Sequence, residues 1–140
     1  MYYIYPKLSE KDCMLFRLGG AGLGNILFTY ARAVIYVQKH ENAEMIWPTW
    51  FSFKLGPILR HESDKRFYND LFVNHSGYIG GFKKANILIT KKHIKEQDMS
   101  KKQDLDGCVI DFEGFENCFQ EIMNDSQEVY KDLVRNLNPK

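Results

Sequence analysis

Cysteine is sparse in this 140-residue chain: Cys13, Cys108 and Cys118, an odd number with no pair at metal-finger spacing. That excludes a disulfide framework and a cysteine-based zinc finger, and the expected state is buried free thiols in a reducing compartment. A dominant charge sign is also missing. Nineteen Lys plus Arg face eighteen Asp plus Glu, a net charge of +1. No general field then draws in nucleic acid or an anionic membrane, so an anionic ligand needs a local site. No apolar run approaches the roughly 20 residues of a membrane span. Met1–Tyr5 is too short and too aromatic to be the apolar core of a signal peptide. The expected location is cytoplasmic, where the sequons Asn74-His75-Ser76 and Asn124-Asp125-Ser126 carry no meaning. Repeats and low-complexity tracts are absent.

What is present suffices for one core: 44% of the residues are hydrophobic and 14% aromatic, so global disorder is not expected. Met1–Asp12 reads as a polar, aromatic-rich leader or an added edge strand. Cys13–Leu18 is compact, mostly apolar and followed by glycines, the pattern of a buried strand. Gly19-Gly20-Ala21-Gly22-Leu23-Gly24 is a tight loop, with Asn25 as N-cap of the helix that follows. Ile26, Leu27, Tyr30, Ala31, Val34 and Val37 then recur at helical spacing, with Arg32, Gln38 and Lys39 elsewhere on the wheel. About three to four turns are expected. Ala43–Trp47 is a second strand stopped by Pro48, which makes a right-handed βαβ unit.

Further on, Arg66–Phe72 suits a short helix and Ala85–Thr90 a third strand. The lysine-rich Lys91–Gln103 reads as a solvated linker or helix face. Cys108–Phe112 is a fourth strand. Asp125–Leu137 is a closing helix with Val129, Leu133, Val134 and Leu137 on one side, stopped by Asn138-Pro139. The expected fold class is α/β: a Rossmann-like parallel sheet of about four strands with flanking helices.

The glycine loop carries most of the functional information. A glycine turn between strand and helix presents unblocked N–H groups and the positive end of a helix dipole, which favours a phosphate. A tight turn that binds nothing fits the position equally well. A dinucleotide fingerprint fails in every register, because Asn25, Leu27 or Ala21 occupies a required glycine position. Gly24-Asn25-Ile26 is not the end of a P-loop.

Arg17-Leu18-Gly19-Gly20-Ala21-Gly22-Leu23-Gly24-Asn25-Ile26-Leu27-Phe28-Thr29-Tyr30-Ala31 resembles the N-terminal motif of bacterial α-1,2-fucosyltransferases. There a strand runs into Gly-Gly-Leu-Gly-Asn-Gln, followed by an apolar residue, Phe, Gln, Tyr and Ala. Pro48-Thr49-Trp50, Arg66–Phe72 and Phe112–Phe119 echo later parts of that family. This chain departs from the motif by an extra small residue (Ala21-Gly22), by Ile26 in place of Gln, and by Thr29 in place of the second Gln. The resemblance implies one half of a two-domain, GT-B-like glycosyltransferase, with residues 1–140 as its N-terminal domain. The second, donor-binding domain and its His-x-Arg motif would lie elsewhere. None of His40, His61, His75 and His93 is followed by Arg two positions on.

The implied reaction moves fucose, or a similar sugar, from GDP-fucose to a glycan hydroxyl without a metal or cofactor. The donor phosphates fall to Gly22, Leu23, Gly24 and Asn25, and the resemblance gives Asn25 the catalytic role. Its amide would donate to the charge growing on the leaving diphosphate. Acceptor-side candidates are Trp50, Glu113 and Phe115. Glu113 or Glu116 would be a base for the acceptor hydroxyl, or merely solvated. Trp47, Trp50 and Phe51 would form a sugar-stacking platform, or core. Arg60 and Arg66 would hold an anion, or lie on the surface. An unpartnered domain of this kind is also expected to expose an apolar patch and self-associate. The rival function is a free-standing, non-catalytic module that binds a nucleotide, a glycan or a partner protein.

Overall fold

The computed structural model describes residues 1–63, 67–102, 104–114 and 118–139. In chain order these form β1 (Tyr2–Pro6), β2 (Lys11–Asp12), β3 (Arg17–Leu18), α1 (Leu23–Lys39), β4 (Ala43–Met45), β5 (Ser52–Phe53) and α2 (Leu55–Leu59). They continue with α3 (Gly81–Thr90), β6 (His93–Lys95), a 3₁₀ turn over Glu96–Lys101, β7 (Val109–Phe112), α4 (Cys118–Asn124) and α5 (Ser126–Asn136). Four strands make one all-parallel sheet in the order β4–β1–β7–β6. The architecture is α/β, a Rossmann-like parallel sheet flanked by helices. A separate small sheet joins β2, β3 and β5. Among the described residues, no helix is long and apolar enough to cross a membrane.

Period-two alternation sends successive strand residues to opposite faces. Ile4, Met45, Ile110 and Phe112 pack with Ile26, Tyr30 and Val34 of α1. Tyr5 and Val109, on the other face, pack with Ile46, Ile79 and with Ile87 and Leu88 of α3. Both faces of the sheet are thus covered, as parallel sheets require. α5 closes the α1 side by laying Val129 against Ala31 and Ile35.

Several expectations are corrected. The leader is not an edge: Tyr2–Pro6 pairs with strands on both sides, β4 and β7. The leader reads as polar and aromatic-rich, yet Tyr5 is buried, because a phenol packs its ring and keeps a hydrogen bond at its tip. Cys13–Leu18 is not a buried strand. Only Arg17 and Leu18 are extended, Met14 has φ +68°, and Leu15 is 80% exposed. Cys13 is exposed rather than buried.

Ala85–Thr90 is helical rather than extended. Its buried positions Lys84, Ile87 and Leu88 follow a three–four spacing that the lysine disguises. Phe67–Phe72 forms turns and a bridge rather than a helix, and Arg66 lies outside the described residues. The lysine-rich stretch contains β6 and the 3₁₀ turn. α1 is 17 residues long, longer than expected, and Arg32 is only 7% exposed.

Large apolar side chains stand exposed around the small sheet, among them Leu18 and Phe53, which are register partners, with Leu55 and Leu59 nearby in sequence.

Candidate functional site

A cleft of about 870 Å³ opens at the carboxyl ends of β1, β6 and β7. Ligands of open α/β sheets bind at this edge, where strands end and loops begin. One wall is α1, through Asn25, Ile26, Thr29 and Arg32; Gly20 and Ala21 also line the cleft. The glycine loop is pinned to the small sheet. Arg17 N–H donates to the Phe51 carbonyl (2.9 Å) and Gly19 N–H to the Phe53 carbonyl (3.2 Å). Ser52 Oγ donates to the Gly19 carbonyl (3.2 Å) and Lys54 Nζ to the Ala21 carbonyl (3.2 Å).

The loop thus reaches the main cleft from the small sheet, not from a strand of the parallel sheet. Gly22 is the N-cap of α1 and makes no side-chain cap, and the first turn carries no acidic residue. Asn25, expected as N-cap, is instead the third helical residue, exposed and lining the cleft. Among the described residues, no side chain caps the first-turn N–H groups.

Arg17 lies under this loop, fully buried. Its Nη1 approaches the Gly19 carbonyl (3.5 Å), and its guanidinium sits 5.9 Å from the centre of the Tyr68 ring. Among the described residues, its Nε and Nη2 have no hydrogen-bond partner. Burial lowers its pKa from the ordinary arginine value. Gly20, at φ +94°, is what allows the close approach: a Cβ there would lie 2.9 Å from Arg17 Nη1 and 3.2 Å from Ser9 Cβ. Gly20→Ala combines left-handed strain with this contact. It is expected to lower stability by about 2 kcal/mol, read by urea unfolding; an unchanged midpoint would contradict the loop geometry.

The floor of the cleft is ionic and largely self-neutralised. Lys7, which follows β1, donates to Glu113, which follows β7 (2.6 Å), and Lys95 Nζ lies 3.7 Å from the same carboxylate. Burial works to raise the Glu113 pKa, but the two lysines outweigh it and hold the group below its usual range. Arg32 pairs with Glu96, and its Nη1 donates to the Gly114 carbonyl (3.1 Å). Thr29 Oγ1 donates to that same carbonyl (2.7 Å). α1 thereby fixes the turn that follows β7.

Asp111, on β7, also lines the cleft. Its carboxylate oxygens lie 2.9 and 3.0 Å from His93 Nδ1. Burial raises its pKa, an effect that His93 partly offsets.

The structure therefore brings Asn25 and Glu113 to one cleft. Gly22 and Gly24 are exposed at the start of α1 and Leu23 turns partly into the core; none of the three is among the residues lining the cleft. Trp50 is not at the site. It is 4% exposed, stacked on Phe72 (4.1 Å between ring centres) and tilted against Tyr30 (5.3 Å). Trp47 stacks on Tyr78 and Phe51 packs edge-on to Phe67. Arg60 pairs with Glu62 (2.7 Å) on the surface. Phe115 and Glu116 lie outside the described residues.

Lys7, Thr29, Arg32, His93, Glu96 and Asp111 escaped the sequence reading. For Asp111 a signal existed: a carboxylate between the apolar residues of Val109-Ile110-Asp111-Phe112 is a candidate functional group. Among the described residues, no cluster of three or more His, Cys, Asp or Glu side chains could hold a metal ion. No family model, curated protein or solved structure matches this chain.

Proposed function

We propose that this chain is the N-terminal half of a glycosyltransferase that moves fucose, or a similar sugar, from a nucleotide donor such as GDP-fucose to a glycan hydroxyl. The observation that carries the reading is Asn25, on the uncapped first turn of α1, lining the cleft at the carboxyl ends of the strands. Free N–H groups at a helix start suit a diphosphate. In this reading the exposed Asn25 amide donates to the oxygen that gains charge as the sugar–phosphate bond breaks.

One wall does not complete such a site. In this reading a second domain, outside residues 1–140, supplies the base-reading and donor-clamping groups. The rival non-catalytic module draws support from the pairing of Lys7, Lys95 and Arg32 with Glu113 and Glu96, which occupies cations that a diphosphate would use.

Amide NMR of residues 1–140 with GDP and GDP-fucose tests the proposal. Shifts confined to Gly20–Asn25 are expected, with millimolar affinity, because a few water-exposed hydrogen bonds oppose the cost of ordering the ligand. Gly24→Ala sharpens the test. Its added Cβ meets nothing within 4 Å, so the fold gains about 0.5–1 kcal/mol. The methyl group nevertheless crowds the first-turn N–H groups, and GDP binding weakens several-fold. Silent loop amides would sink the phosphate site. Micromolar binding, or sugar transfer by this chain alone, would refute the half-enzyme.

A further inference from the structure

Beyond the helix start, the buried carboxylate of the cleft is paired with a histidine rather than with a lysine or arginine. Asp111 is 8% exposed and lines the cleft. Among the described residues, the only hydrogen-bond partner of its carboxylate is His93. The other edge of that ring is held as well. His93 Nε2 lies 2.9 Å from the Leu88 carbonyl, and a carbonyl only accepts, so Nε2 carries hydrogen. Nδ1 then faces both carboxylate oxygens at 2.9 and 3.0 Å. His93 is a positioning residue: it anchors the carboxylate from the β6 side, and the lone pairs it leaves unused remain for a ligand.

What those lone pairs accept follows from the neighbours. Lys95 and Tyr5 are the register partners of Asp111 on either side. The Tyr5 hydroxyl is already spent on Asp12 (2.7 Å), and Lys95 lies near Glu113. A second anion would meet the Asp111 carboxylate, and a ligand cation would meet Lys7 and Lys95. A neutral donor meets neither penalty, and a carboxylate forms its best neutral hydrogen bonds with hydroxyl groups.

We infer that Asp111, held by His93, is the hydroxyl-accepting group of the cleft and takes an O–H of a neutral polyhydroxylated ligand. Its chemical role rests on the transferase reading above. In that role the acceptor O–H proton passes to an Asp111 oxygen as the acceptor oxygen bonds to the sugar anomeric carbon. The carbon–oxygen bond to the diphosphate breaks, and its electron pair leaves with the diphosphate.

The test uses isotope-labelled residues 1–140 and three separate probes: lactose, pyrophosphate and propylamine. Lactose, at up to about 0.1 M to match millimolar affinity, is expected to shift the Asp111 carboxyl and His93 ring signals. It should also give intermolecular NOEs to the Asp111 β-protons. Pyrophosphate should move only the Leu23–Asn25 amides. Asp111→Asn should weaken lactose binding at least about tenfold, the worth of a charged hydrogen bond, and leave the pyrophosphate response unchanged. Glu128→Gln, on the exposed side of α5 and outside the cleft, should bind lactose like the wild type.

Absent NOEs at saturating lactose, or unweakened binding by a folded Asp111→Asn, would overturn the inference. A stronger response to propylamine would overturn it too. If Asp111→Asn does not fold, the wild-type NOEs decide. Failure of the transferase reading looks different: loop amides silent to GDP and pyrophosphate, with lactose still at Asp111.

Discussion

Asp132→Ala is expected to lower stability by about 3–5 kcal/mol, because it strands several buried donors at once. Asp132 is 5% exposed on α5. It accepts from the Tyr30 hydroxyl (2.5 Å), the Tyr78 hydroxyl (2.6 Å), Ser76 Oγ (2.8 Å) and Asn136 Nδ2 (3.3 Å). These partners come from α1, from the loop before α3 and from α5 itself, so one carboxylate ties the closing helix to the rest of the fold. Asn136 Nδ2 also donates to the Asp132 carbonyl (2.9 Å) and to Ser76 Oγ (2.8 Å). Burial, then the hydrogen bond to Asp132, raises the pKa of both tyrosines. Tyr78→Phe removes one donor and should cost about 1 kcal/mol. For a chain of this size the alanine variant should melt roughly 10–20 °C lower. A calorimetric shift no larger than that of Tyr78→Phe would show that the cage is not the tie described.

The second large effect has the opposite sign. Lys84→Met is expected to stabilise the protein at pH 7 by about 2 kcal/mol. Lys84 is 7% exposed on α3, and its Nζ donates to Thr49 Oγ1 (2.8 Å), 5.3 Å from the centre of the Tyr5 ring. Among the described residues, no carboxylate lies within ion-pair distance of it. Asp12 lies further along the chain of hydrogen bonds, beyond Thr49 Oγ1 and the Tyr5 hydroxyl (2.9 Å, then 2.7 Å). Burial pushes the ammonium pKa down to about 8, with Asp12 pulling weakly the other way.

The unfolded chain holds this proton up to its ordinary value of 10.5. Between the two values the unfolded state binds more protons, so wild-type stability rises with pH from about 8 upward. Above about pH 10 the buried Tyr5 and Tyr30 act against this. Burial raises their pKa, so the unfolded state ionises first and stability falls again. Urea midpoints measured across that range should rise and then fall for the wild type, and Lys84→Met should remove the rise. Equal rises in both proteins would show that Lys84 does not titrate as described.

Some of this was legible in the residues. Ala43–Met45, Val109–Phe112 and Ser126–Asn136 fall inside the segments expected to be strand, strand and helix, because periodicity and stop signals agree there. α1 was recognised by its apolar spacing and by the glycines before it. Errors arose where local pattern serves two structures. Asn-Ile-Leu-Ile-Thr is as good a strand as a helix end, and Cys13–Leu18 is as good a core strand as an exposed apolar loop. Trp50 suits a sugar platform or a core, and only its neighbours Phe72 and Tyr30 decide.

By itself the sequence determined the α/β class, the glycine turn into α1 and the local origin of any anion site, since those depend on chain stiffness, hydrophobic period and net charge. Tertiary structure decided which strand is central, which side chains share the cleft, and which ions are already spent. Lys7, Thr29, Arg32, Asp111 and Glu113 are scattered over more than one hundred residues of sequence. They meet because parallel pairing of β1 with β7 brings two strand ends together and α1 packs across them. That juxtaposition is non-local, and no local pattern of residues encodes it.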